Sequence, residues 1–130
     1  MYAALEAARD ALADCATLAA AALLTPAAGS CKIGLEEGIS PLDYPLIRLV
    51  PSRVTPGQPY GKRTIETLIY FGVPIANSQG LEAVYEGLSD FEAEILAVVK
   101  ALGGRYLETV TDEDRLDTYK LMAVRCSLAA

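Results

Sequence analysis

Polar and apolar residues alternate along RTIETLIYFGVPI. Ile65, Thr67, Ile69, Phe71 and Val73 fall on one side, and Thr64, Glu66, Leu68 and Tyr70 on the other. Such a density of β-branched and aromatic residues predicts a strand. After the turn ANSQG the period changes: Leu81, Val84, Tyr85, Leu88, Phe91, Ile95, Val98, Val99 and Leu102 recur at helical spacing, predicting one apolar stripe along a helix. Gly103 and Gly104 end it, as a C-terminal cap does. Tyr2 to Leu24 predicts a second, alanine-rich helix, with Leu5, Ala8, Leu12, Cys15 and Ala19 on one side and Glu6, Arg9, Asp10 and Asp14 on the other. Pro26 and Gly29 terminate it.

The segments between are less regular. Ser30 to Asp43 is broken by Gly34, Gly38 and Pro41 and reads as a loop, holding at most a short strand over Lys32 to Leu35. Tyr44 to Val54 reads as a strand whose Pro51 requires an edge position or a bulge. The turn TPGQP follows, so Tyr44 to Pro74 predicts an antiparallel hairpin. Arg105 to Thr111 and Thr118 to Leu128 predict a second pair of strands, with Asp112, Glu113, Asp114 and Arg115 at its tip. The expected fold is α+β, in the order α-β-β-α-β-β, an antiparallel or mixed sheet of about four strands with the helices packed against it. The 130 residues correspond to one domain, 1–130, that buries about two-thirds of its unfolded surface without metals or disulfides.

Charge is unevenly placed on this frame. From Arg48 to Arg63 the only formal charges are Arg48, Arg53, Lys62 and Arg63, all positive. In the second helix Glu82, Glu86, Asp90, Glu92 and Glu94 face only Lys100. This split is either two solvated faces or a bipolar subunit that docks head to tail with copies of itself. The net charge of −6 argues against general nucleic-acid binding, which needs clustered Lys and Arg. The uncharged stretch between Cys15 and Cys31 fails as a membrane span or export leader, because it is short, contains Pro26 and follows Glu6, Asp10 and Asp14. Cys15, Cys31 and Cys126 are odd in number and unpatterned, and read as small core residues of a soluble intracellular protein.

Candidate chemistry is sparse. The chain has no histidine, hence neither the commonest general base nor the commonest metal ligand. No nucleophile elbow or phosphate loop occurs, since Gly103-Gly104 follows a helix instead of opening one. Glu36-Glu37 and Asp112-Glu113-Asp114 are the paired carboxylates that a hydrolase or small-molecule site would use, and otherwise are solvated turns. Asp112 and Asp114 with Asp117 could hold Ca²⁺ weakly, but lack the glycine and terminal glutamate of a true calcium loop. Glu92, at the margin of the helical stripe, reaches solvent, pairs with an arginine or marks a buried site. No catalytic, cofactor-binding or metal residue is assigned.

Two features suggest surfaces. Ala83, Gly87, Ala97 and Ala101 line up with Asp90 and Glu94 into a smooth helical track; because an interior glycine costs a helix about 1 kcal/mol, close approach of another backbone is one reason to keep Gly87. The loop from Ser52 to Gly61, with Arg53 at its start, is either a long turn or an arm to a neighbour.

The N-terminal helix, DYPLIRLVPSR entered after GLEEGISP, RTIETLIYFGVPI, LEAVYEGLSDFEAEILAVVKAL and the closing YLETVTDEDRLDTYKLMAVRC together resemble the tail terminator, or tail completion, proteins of long-tailed bacteriophages. The likeness covers nearly the whole chain and lies in element order and length. It implies a structural protein with no active site or cofactor. Such a subunit forms a ring, a hexamer, on the tail tube protein, stops tube growth and meets the head–tail connector protein, working in the host cytoplasm and then in the virion tail. The resemblance transfers that role and no individual residue. The alternatives are a small enzyme or ligand-binding α+β domain using the carboxylates, or another phage or prophage interaction module.

Overall fold

A computed structural model describes residues 2–23, 30–34, 46–56, 63–74, 80–112 and 119–129. The chain is α+β. Helix α1 (Tyr2–Leu23) precedes strands β1 (Ser30–Ile33), β2 (Leu46–Thr55) and β3 (Thr64–Pro74), and helix α2 (Gly80–Ala101) precedes β4 (Arg105–Asp112) and β5 (Tyr119–Ala129). The sheet order is β1-β2-β3-β5-β4. Among the described residues five strands form instead of the expected four, because Ser30–Ile33 pairs in parallel with β2, Cys31 opposite Ile47 and Ile33 opposite Leu49. The other ladders are antiparallel. β5 therefore lies between β3 and β4, which run parallel to each other and are joined through α2, a split βαβ arrangement.

Pro51 explains itself in this frame. β1 reaches only to Leu49 of β2, so Pro51 sits where β2 keeps β3 as its one paired neighbour among the described residues, and the register shifts between Pro51 and Arg53. At this bulge the Ser52 hydroxyl donates to the Glu66 carbonyl at 3.0 Å.

Both helices pack on one face of the sheet. Ile47 and Leu49 of β2, Ile69, Phe71 and Val73 of β3, and Val124, Cys126 and Leu128 of β5 meet Ala8, Leu12 and Cys15 of α1 and Val84, Leu88, Phe91, Ile95 and Val99 of α2. The Phe71 and Phe91 rings meet edge to face, with centroids 5.6 Å apart and planes at 65°. α2 ends as its two glycines predict. Gly103 takes φ +76°, its N–H donates to Lys100 O at 3.0 Å, and the Gly104 N–H donates to Val99 O at 2.9 Å, the paired bonds of a Schellman cap.

On the opposite face the strands carry a different set. Leu46 and Arg48 are buried, while Val50, Leu68 and Tyr70 are half-buried. Arg125 on β5 reaches to both neighbouring strands, 2.9 Å from Glu108 on β4 and 3.4 Å from Glu66 on β3, the latter too poorly aligned for a hydrogen bond. Among the described residues, no helix is long and apolar enough to cross a membrane.

Candidate interaction surface

Of the basic residues predicted to share one side of the fold, the three described ones divide between interior and surface. Arg48 is 0% exposed, and its Nη1 donates to Ser30 Oγ and to the Ile47 carbonyl, both at 3.0 Å. This corrects its assignment to a docking surface: it sits across from Tyr70 in the middle of a ladder, with no part of its side chain reaching solvent. Arg53 and Arg63 are exposed at one end of the β2–β3 pair. Arg53 lies opposite Glu66 in register, but the Glu66 carboxylate faces Arg125. Lys62 lies outside the described residues, as do Glu36, Glu37, Glu113, Asp114 and Asp117. Asp112 is the last residue of β4.

The small-residue track on α2 splits in two. Ala83 and Gly87 are half-buried on the flank of the core stripe, whereas Asp90, Glu94, Ala97 and Ala101 are exposed. α1 packs beside α2 on the same sheet face. What remains outward is acidic. Glu82, Glu86, Asp90 and Glu94, all exposed, follow one another at four-residue spacing. Like charges at that spacing cost an isolated helix about 0.2–0.5 kcal/mol per pair, so the row opposes helix formation.

Glu92 stands on the other flank of the stripe. It is half-buried and, with Tyr85, Leu88 and Ser89, forms the helical wall of a groove of about 320 Å³ whose other wall is Thr109 and Thr111 of β4 with Met122 of β5. No described cation pairs with its carboxylate. Glu92 stood out in the sequence only as an acid beside a stripe. Thr109 and Thr111 carried a signal too, the alternation of β4, but the register shift between Tyr106 and Glu108 changes which residues share a face, and this is invisible without the pairing.

The thiols are chemically quiet. All three are free, and burial pushes each up to about 11 from an ordinary value of 9.0; at Cys15 the nearby Glu94 carboxylate adds to the effect. Protonated thiols are weak nucleophiles. A folded-state pKa raised above the unfolded one stabilises the fold below about pH 9 and is lost as pH rises through about 11. The urea midpoint is therefore expected to fall between pH 9 and 11, and Cys126→Ala to lose less than the wild type over that span. An equal alkaline loss in both proteins would show that Cys126 is not held protonated by the core.

Among the described residues no group of three or more Cys, Asp or Glu converges as a metal site would. No protein family and no curated protein matches the sequence.

Proposed function

We propose that this chain is a structural subunit of phage tail assembly that docks head to tail with copies of itself. It closes a ring, a hexamer, on the end of the tail tube, stops the tube's growth and offers a surface to the head–tail connector. The observation that carries this reading is the split of exposed charge. Arg53 and Arg63 mark one end of the β2–β3 pair, without a described acid bonded to either, and an uninterrupted acidic row runs along the outer side of α2. A basic end and an acidic helix on one subunit suit a heterologous contact, which closes into a ring when the rotation between copies permits. The like-charge row is tolerated because a neighbour's cations offset it. The element order and the absence of any histidine support the same reading.

Isolated subunits are expected to associate weakly, more so at low salt, and to form rings at high concentration or on tail tubes. Changing Arg53 and Lys62 together to glutamate weakens association at least ten-fold without unfolding the subunit, as followed by light scattering and circular dichroism. Deleting the gene from a phage that carries it gives tails of uncontrolled length that do not join heads. Normal tails on the deletion phage would overturn the assignment, and unchanged association of the double variant would remove electrostatics from it.

A further inference from the structure

We propose that the outer edge of β4, together with the groove between β4 and α2, is a strand-addition site for an extended, largely apolar polypeptide segment that carries one lysine or arginine. The proposal goes beyond the ring reading and does not depend on it. β4 ends the sheet order, and no described residue pairs with its outer side. An open edge of this kind is normally blunted by charge, proline or cover, because its unpaired N–H and C=O groups template another strand. β4 does carry Arg105, Glu108 and Asp112 and a bulge at Leu107, but Glu108 is drawn back to Arg125 of β5, and Thr109, Val110 and Thr111 hold no charge. Of the six large apolar side chains that stay exposed among the described residues, Tyr85, Leu102, Tyr106, Leu107 and Val110 lie on α2, on β4 or in the turn joining them, and only Tyr2 lies elsewhere.

The geometry restricts what can bind. The register shift at Leu107 interrupts the first half of β4, leaving Glu108–Asp112 as the regular stretch. A strand added there alternates its side chains. Those on the side of Thr109 and Thr111 enter the groove toward Leu88 and Met122, and the others lie beside Val110, 46% exposed, on the far face. At about 320 Å³ the groove is at the lower limit for a small-molecule site and accommodates one or two side chains. Edge strand, flanking helix and pocket for alternate side chains are the elements of peptide binding by strand addition.

Charge selects the occupant. Glu92 is half-buried on the groove wall with no described cation beside it, so the groove-facing residue that suits it is Lys or Arg, while Glu108 is already held by Arg125 at 2.9 Å. A second copy pairing through its own β4 does not meet this requirement. The groove-side residues of that strand are Tyr106, Thr109 and Thr111, and its one cation, Arg105, shares the far face with Ser127. Such a dimer would leave Glu92 unanswered.

The test uses a blocked, fluorescein-labelled heptapeptide, Ser-Val-Arg-Val-Val-Val-Ser, titrated into the full chain and followed by polarisation and by amide chemical shifts. Saturable binding is expected, with the largest shifts at Glu108–Asp112. Glu92→Gln and replacement of the peptide arginine by norleucine each weaken it about ten-fold, non-additively, and N-methylation of the peptide's edge-facing amides abolishes it. Glu92 lies at the protein surface, and unchanged circular dichroism of the Glu92→Gln variant separates loss of binding from loss of fold. Absence of binding at millimolar peptide, or binding indifferent to both Glu92→Gln and N-methylation, would overturn the proposal. So would a wild-type dimer that Val110→Lys converts to monomer, since the edge would then belong to a second copy.

Discussion

Phe71→Ala is expected to lower the unfolding free energy by about 3–5 kcal/mol, the range for truncating a buried phenylalanine. Phe71 is fully buried on β3, which is paired on both sides, by Ile47 of β2 and Met122 of β5 at this position, and its ring meets Phe91 of α2 edge to face. Removing it forfeits the transfer term, the ring pair and the contacts of a cavity that neither neighbouring strand can collapse into. Against a total of about 5–15 kcal/mol for an ordinary domain, that is a large share. Urea unfolding followed by circular dichroism should show the midpoint fall with an unchanged denaturant slope. A loss below about 1 kcal/mol would mean that α2 does not seat on the sheet through this ring.

The second large effect is at Gly104, where alanine is expected to cost about 1–3 kcal/mol through overpacking. A Cβ built there lies 2.9 Å from Leu128 Cδ2, 2.9 Å from Val99 Cγ1 and 3.1 Å from the Val99 carbonyl oxygen. The two methyl groups have some room to move. The carbonyl does not, because it accepts the Gly104 N–H that closes the helix. Gly103 provides the control: a Cβ there meets nothing within 4 Å, but the backbone has φ +76°. Gly103→Ala therefore costs only the left-handed torsion, about 1 kcal/mol, and Gly103→Asn less, since asparagine tolerates that region. Equal losses for Gly103→Ala and Gly104→Ala, with no rescue by asparagine, would show that crowding at Leu128 plays no part.

β3 and α2 were legible because each has a full-length period and a one-sided burial requirement that selects it. Between them they supply half of the residues of the main core cluster. β1 was only half legible: its four residues are too few for a pattern, and its place beside β2 rests on a parallel pairing that local sequence does not encode. The position of β5 between β3 and β4 was not legible, since adjacent strands in the chain suggest a simple hairpin and the hydrophobic pattern is the same for a central or an outer place. Arg48 was misread for a related reason. A cation in an alternating strand reads as outward, yet it lies on a ladder face where Leu46 beside it is also buried. On α2 Glu82, Glu86, Asp90 and Glu94 are exposed, as their place away from the apolar stripe implies. The groove depends on a bulge in β4, and bulges are features of pairing before they are features of sequence.

The strand order has a consequence for the birth of the molecule. β5 follows every other strand in synthesis but is paired on both sides in the sheet, to β3 and β4. On the ribosome, α1 and the β2–β3 pair can collapse early, whereas β4 has no partner strand until Tyr119–Ala129 has emerged. Completion waits for a contact between segments far apart in the chain, a kind of contact that slows folding. Until then both β3 and β4 carry bare edges prone to association. A chain cut short before Tyr119 is therefore expected to aggregate as it leaves the ribosome instead of accumulating as a smaller soluble fragment.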